Sequence, residues 1–122
     1  MVDRAHRVRL RSDFARIRLS GRRVSHPLVR LQWASNGLPV TRFGFVVGRR
    51  VAPRAHDRNR VRRRLREIAR GTLPHLPDGI DIVFIAQAGA VGASFHELYQ
   101  AVGELLARSR LERSLASPER AE

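Results

Sequence analysis

The chain has 122 residues and a formal net charge of +13, with 43% hydrophobic residues, which predicts one small domain with a modest core. Cysteine is absent, so disulfides and thiolate metal sites are excluded and a cytoplasmic protein is expected. No apolar run approaches the ~20 residues of a membrane span, and the arginine-rich start lacks the apolar stretch of a signal peptide. A membrane partner is therefore not expected.

The positive charge is concentrated in the first part of the chain, and all of it is arginine, since the 24 basic residues include no lysine. Residues 1–70 contain 20 arginines and four acidic residues, whereas residues 71–122 contain four arginines and seven acidic residues. A cluster of planar, bidentate guanidinium donors favours phosphate recognition over a general role in solubility.

The start of the chain predicts a basic arm over residues 1–11, followed by a helix. Ser12 is a suitable N-cap for this helix, and Gly21 is suited to end it. Three residues are expected to face inward, namely Leu10, Phe14 and Ile17.

Two strands are predicted next. Alternating side chains favour a strand over Pro27–Trp33 and a second over Thr41–Val47. Asn36-Gly37 lies between them and is typical of a hairpin turn, so the two strands are expected to pair with each other. Gly44 leaves the second strand open to close approach by another element.

The most informative segment is a predicted helix over residues 57–71, with Asp57 as its N-cap and Gly71 at its C-terminal cap. Apolar residues recur at i, i+4 and i+7 and form one stripe: Val61, Leu65 and Ile68. At ~100° per residue, one polar arc faces away from that stripe, and it consists of Asn59, Arg62, Arg63, Arg66 and Arg70. Since adjacent cations repel one another, a polyanion is the expected partner.

The last third predicts a turn-rich connector, a strand and a helix. Residues 80–86 are apolar enough for a central strand covered on both faces, and Asp78 and Asp81 are expected to mark the turn before it. Ser94 and Glu97 form a capping box for a helix with one apolar stripe: Leu98, Val102, Leu105 and Leu106. The order α-β-β-α-β-α predicts a single α+β domain over residues 1–110, with helices packed on a small mixed sheet and a disordered tail over residues 111–122.

No residue pattern indicates catalysis or metal binding by the protein itself. The five histidines have no metal-ligand spacing, and there is no phosphate-binding glycine loop. RNA is favoured over DNA because helix-turn-helix spacing is absent and a sheet with a basic helix suits recognition of shape and backbone. A membrane-surface role for the arginine helix ranks last, because the helix lacks the aromatic residues of interfacial helices.

A more specific signal begins at Arg58-Asn59-Arg60. The string from Arg58 to Glu67, between the second and third predicted strands, closely resembles the signature of the protein subunit of bacterial ribonuclease P. Ser12-Asp13-Phe14 opens the first helix as in that family. Residues 43–50 resemble its second strand and the basic pair that follows, and the resemblance extends over about residues 7–108.

The resemblance implies the fold shared by ribonuclease P protein and the second domain of ribosomal protein S5. It also implies a two-part enzyme in which a catalytic RNA holds the active-site Mg²⁺ and cuts precursor tRNA to leave the mature 5′ end. The protein would bind that RNA and grip the 5′ leader between the sheet and the first helix. The implied contacts to the catalytic RNA are Arg49, Arg50, Arg58, Asn59, Arg60, Arg62, Arg63 and Arg66, and the implied leader contacts are Phe14 and Arg18.

Three features depart from the family pattern. The loop over residues 51–56 is about two residues longer than usual, Arg18 replaces an aromatic residue, and Leu31 replaces a tyrosine that some members carry. Because an aromatic ring supplies a stacking platform for an unpaired base, the leader cleft is expected to rely on arginine here. The alternative is a non-enzymatic RNA-binding protein of ribosomal type, since that fold shares a βαβ core and basic composition. Neither reading predicts a DNA partner.

Overall fold

The computed structural model describes residues 4–8 and 11–111. Within these residues the chain forms three α-helices and four strands, in the order α1 (Arg11–Ser20), β1 (Arg22–Ser25), β2 (Val29–Ser35), β3 (Arg42–Val46), α2 (Ala55–Thr72), β4 (Ile80–Ala86) and α3 (Phe95–Ser109). Short 3-10 turns occupy Arg4–His6 and Leu73–His75. The predicted mixed α+β fold is confirmed.

The strand predicted over residues 80–86 forms as β4 and lies inside the sheet, whose strand order is β1-β2-β4-β3. It pairs antiparallel with β2 and parallel with β3. Ile82 and Phe84 belong to the main core on one face, whereas Val83 belongs to a smaller cluster on the other. A strand that is apolar on both faces is stable only where both faces are covered, which explains its central position.

The predicted hairpin between β2 and β3 is wrong. Gly37 adopts the positive φ of 71° that a tight turn needs, but β4 lies between the two strands. Asn36 is hydrogen-bonded to the start of β4 instead. Its backbone N–H donates to the Gly79 carbonyl at 2.9 Å, and its side-chain amide donates to Asp81 at 2.9 Å. Turn chemistry alone could not show that a later, more apolar strand takes the place beside β2.

The sequence prediction missed one strand, β1. β1 pairs antiparallel with β2, with Arg22 opposite Trp33 and Ser25 opposite Arg30. Three of its four residues are exposed and only Val24 is partly buried, so the segment has no apolar alternation to reveal it. Its polar, arginine-rich side chains suit an edge strand.

Both predicted ends of the arginine helix are wrong. The N-cap of α2 is Arg54, without a side-chain hydrogen bond, and Asp57 lies in the first turn, where its negative charge favours the helix dipole. The helix continues through Gly71 into the 3-10 turn, whose Pro74 lies in the first turn. Proline is tolerated there because its missing N–H would have no helical partner. Since the helix leads directly into this turn, it does not end at Gly71 with a left-handed cap.

The two faces of the sheet are covered unequally. α2 and α3 pack on one face, and their predicted apolar stripes are buried: Val61, Leu65, Ile68, Leu98, Val102, Leu105 and Leu106. α1 lies on the other face and buries only Ile17, which packs with Val8 and Val83. The capping box of Ser94 and Glu97 is confirmed. The prediction for Leu10 falls outside the described residues, and so does the tail predicted over residues 111–122 except for Leu111, which packs partly buried against the main core.

The N-terminal arm attaches to the outer edge of β3. Arg7 forms a parallel bridge with Phe43, and the Val8 N–H donates to the Phe43 carbonyl at 2.6 Å. Because Val8 is buried in the cluster beneath α1, both main-chain pairing and apolar contact hold the arm in place. The arm thereby brings Arg7 to the edge of the sheet.

Candidate nucleic-acid interface

The polar residues predicted to share one side of α2 do so. A shallow depression of about 370 Å³ is lined by Asn59, Arg62, Arg63, Arg66 and Glu67, opposite the buried Val61–Leu65–Ile68 stripe. Asn59, Arg62, Arg63 and Arg66 are called the arginine surface below. Arg70 is exposed beyond it and pairs with Glu67 at 2.5 Å.

The members of the arginine surface differ in how firmly they are held. Arg62 donates to the Asn59 side-chain oxygen at 3.0 Å, and the Arg66 guanidinium lies 5.8 Å from the centre of the Phe45 ring. Arg63 is exposed, and within the described part of the chain its side chain makes no hydrogen bond or ion pair. Two ordered guanidinium groups therefore lie beside one that is free to meet a ligand.

Arg7 was missed by the sequence prediction and lies close enough to influence this surface. Burial lowers the pKa of Arg66, and the positive charges of Arg62 and Arg7 lower it further. The Nε atoms of Arg7 and Arg66 are buried without a hydrogen-bond partner. A bound anion would relieve this repulsion between cations. Only the docking of the arm on β3 reveals the proximity, since Arg7 is distant from α2 in the sequence.

Arg58 and Arg60 lie apart from the depression. Arg58 donates from Nη1 to the Ala52 and Pro53 carbonyls, each at 2.9 Å. Arg60 donates to the Val91 carbonyl at 3.2 Å and lies 3.4 Å from the Asp57 carboxylate. These two side chains hold neighbouring loops against α2, a role that the linear motif did not indicate.

Arg49 and Arg50 are exposed in the turn that follows β3. The Ala52 N–H donates to the Gly48 carbonyl at 3.0 Å and closes this turn. Both predicted residues therefore lie on the surface, in the connection that leads from β3 to the start of α2.

The two predicted leader residues lie on the α1 side of the sheet but in different surroundings. Phe14 is half-buried over Gly44, where an added Cβ would come within 2.8 Å of the ring. Arg18 is exposed and lines a depression of about 270 Å³ with three polar neighbours, Arg22, Arg23 and Gln32. Leu31 is buried in the main core on the opposite face, so Gln32 is the β2 residue next to Arg18.

The described residues contain no group of three or more histidine, aspartate or glutamate side chains that could hold a metal ion. None of the helices in the same part of the chain is both long and apolar enough to cross a membrane. The chemistry available at the arginine surface is charge-assisted hydrogen bonding to an anion.

The α+β fold with one arginine-lined helix surface defines the class as a small, basic polyanion-binding protein. The family model described as Ribonuclease P matches residues 2–110. The chain belongs to the ribonuclease P protein family.

Curated relatives and solved structures agree with this assignment. The chain is 37% identical over 110 residues to the ribonuclease P protein component of Herpetosiphon aurantiacus, covering 90% of this chain and 89% of that one. It is 39% identical over 106 residues to the corresponding protein of Xanthomonas campestris, covering 87% of this chain and 70% of that one.

Two solved structures resemble the fold. The RNase P protein from Thermotoga maritima superposes with a TM-score of 0.75 at 31% identity, covering 84% of this chain and 96% of that one. The Staphylococcus aureus RNase P protein superposes with a TM-score of 0.82, covering 89% of this chain and 99% of that one. At 23% identity, the second match speaks for the fold alone.

Proposed function

We propose that this protein binds ribonuclease P RNA through the arginine surface and contacts the 5′ leader of precursor tRNA on the α1 side of the sheet. It is the accessory protein subunit of the endonuclease that matures the 5′ end of tRNA, and the RNA carries the chemistry. The proposed RNA-binding site rests on the set of arginines on the outer side of α2.

The arginine surface suits an RNA backbone because its cations are ordered but not neutralised. Arg62 and Arg66 are positioned by Asn59 and Phe45, and Glu67 at the rim is engaged by Arg70. Guanidinium groups bind phosphate oxygens in a planar, bidentate manner. Arg63, Arg49 and Arg50 supply exposed charge on the same proposed interface, whereas Arg58 and Arg60 support it through their carbonyl contacts.

Contact with the leader is proposed for the surface where α1 meets β1 and β2. Arg18 with its neighbours Arg22, Arg23 and Gln32 offers cationic and amide donors to a single strand. Phe14 is partly covered by Gly44 and the cluster beneath α1, so its first role is to seat α1. Leader contact here therefore depends more on arginine than on stacking.

Magnesium is proposed to be held by the catalytic RNA rather than by this chain. The carboxylates on the α1 side do not fit a Mg²⁺ site, because Asp81 and Asp13 face the guanidinium groups of Arg16 and Arg42. Those cations already neutralise the carboxylate charge that a metal would need. The protein's contribution is to bind and orient RNA.

Reconstitution tests the proposal. The purified chain is combined with the ribonuclease P RNA of its own organism and precursor tRNAs with leaders of two and ten nucleotides, at low Mg²⁺. We expect the protein to bind the RNA and to stimulate cleavage, with greater affinity for the long leader. Absence of RNA binding would reject the proposal, and equal affinity for both leaders would reject its leader contact.

A further inference from the structure

We propose that the groove between α2 and α3 binds one unpaired nucleotide of ribonuclease P RNA, with the base against Tyr99 and the phosphate toward Arg64. The inference rests on the proposed function, because the RNA must first be docked on α2. It adds a second contact surface, separate from the arginine surface.

The groove exists because both helices carry a glycine along it. Gly71 of α2 and Gly103 of α3 line a space of about 260 Å³. A Cβ at either position would meet no atom within 4 Å, so the missing side chains leave the space open. Ile68, Val102 and Leu106 contribute apolar lining and are otherwise buried.

The rim of the groove carries groups that suit a nucleobase. Tyr99 is 55% exposed although it lines the groove, and its ring stacks on Phe95 with centroids 6.4 Å apart and an interplanar angle of 19°. Gln100 also lines the groove and offers an amide donor and acceptor. An apolar floor, an aromatic wall and an amide match a flat heterocycle with a polar edge.

Two arginines of α2 that do not line the groove contact the residues just before α3. Arg60 and Arg64 precede Ile68 by eight and four residues, and therefore lie on the α3 side of α2. They donate to the carbonyls of Val91 and Ala93, at 3.2 and 2.9 Å, immediately before α3. These contacts place Arg64 against Ala93, two residues before Phe95, which is the ring partner of Tyr99.

The positive charge of the protein favours RNA over a second copy of the chain as the occupant of the groove. Arginine beside an exposed aromatic ring is the combination that binds unpaired nucleotides. A second copy of this chain would bring another net charge of +13, which opposes association. The RNA docked on the neighbouring arginine surface supplies an anionic partner at high local concentration.

Photocrosslinking tests where the RNA lies. Because the chain contains no cysteine, His96→Cys provides a single attachment point for an azidophenacyl group on the exposed side of α3, one turn before Gln100. Ser20→Cys, exposed on α1, is the matched control. We expect the first variant alone to crosslink a discrete unpaired segment of the ribonuclease P RNA. Crosslinking to a second protein copy, or to no RNA in a complex that does form, would overturn the inference.

Affinity measurements test the ring itself. Tyr99→Leu keeps apolar bulk but removes the stacking surface, so we expect RNA binding to weaken about tenfold, whereas Tyr99→Phe binds as the wild type does. Gly103→Leu fills the groove and should weaken binding similarly, with a melting temperature no lower than that of the wild type, because leucine favours a helix more than glycine does. Equal affinity of Tyr99→Leu and wild type would refute the groove while leaving the proposed function intact. Failure of the wild-type chain to bind the RNA would instead reject the function.

Discussion

Arg42 forms a bidentate ion pair with the fully buried carboxylate of Asp81, with Nε–Oδ1 and Nη2–Oδ2 distances of 2.8 and 2.7 Å. The two residues are register partners on the parallel strands β3 and β4. Arg16 of α1 donates to the same carboxylate at 2.5 Å and to the Ser35 carbonyl at 2.5 Å. Because α1 buries only Ile17, these polar contacts are central to its attachment, and α1 carries the proposed leader residues.

Replacement of Asp81 should therefore destabilise the fold. Asp81→Asn keeps the size of the side chain but removes the charge that neutralises Arg42 and Arg16, and losing one partner of a buried pair costs about 3 kcal/mol. Asp78→Asn, at an exposed position three residues earlier, is the matched control. Chemical denaturation of both variants measures the free energy of unfolding. Equal values would show that the network contributes little.

The same carboxylate should make stability depend on pH. Burial raises the pKa of Asp81, but hydrogen bonds from Arg42 and Asn36, with the charge of Arg42, outweigh this effect and hold the pKa below its usual value. A depressed pKa stabilises the fold above the unfolded value of about 3.9, and this stability is lost as the pH falls through the folded value. The melting temperature of the wild type should thus decline more steeply below about pH 4 than that of Asp81→Asn. Parallel declines would contradict the assignment.

Arg63 should affect RNA binding without affecting the fold. It is exposed and, among the described residues, makes no side-chain hydrogen bond or ion pair. Arg63→Ala should weaken binding to the catalytic RNA and reduce the log–log salt slope by about 0.7–0.9, the value for one phosphate contact. Arg22→Ala, exposed on β1, should leave binding to this RNA unchanged. A large loss of melting temperature in Arg63→Ala would contradict its placement.

Arg58 should behave differently from Arg63 although both belong to the family motif. Its Nη1 donates to two carbonyls in the loop before α2, so Arg58→Ala leaves those acceptors without their partner and should cost about 1–3 kcal/mol. We expect a lower melting temperature together with weaker RNA binding. If RNA affinity falls while the melting temperature is unchanged, Arg58 acts as a direct ligand and its loop contacts are dispensable.

Gly44 should be a sensitive position for the seating of α1. A Cβ there would lie 2.8 Å from the Phe14 ring, so Gly44→Ala must push the ring outward, at a cost of about 1 kcal/mol. The long-leader advantage in precursor tRNA binding should shrink, while binding of the catalytic RNA alone should not. Combining Gly44→Ala with Phe14→Leu should recover part of the lost stability, and strictly additive effects would argue against this contact.

Most expectations that rest on neighbours along the chain were met, although both predicted ends of α2 were wrong. The Val61–Leu65–Ile68 stripe, the arginines on the opposite side of α2 and the capping box at Ser94 depend on spacings of three to eight residues. Helical periodicity fixes such spacings whatever the rest of the chain does. The apolar run of β4 similarly required burial on both faces.

Several expectations that depended on distant partners failed or were not made. Asp81 was predicted to mark a turn, yet it is the buried centre of an arginine network whose partner Arg16 lies 65 residues away. The hairpin failed because the place beside β2 was taken by a strand that comes much later in the chain.

The sequence by itself determined a small α+β protein, the inner and outer sides of its arginine helix and the family to compare it with, because periodicity and motif spacing are local properties. Only the tertiary structure decided the strand order and the division of the motif arginines into a set on the outer side of α2 and a set that holds neighbouring loops. It also placed Arg7 near α2. Those outcomes depend on which groups that are distant in the sequence pair their charges and hydrogen bonds with one another. Local spacing along the chain does not determine such pairings.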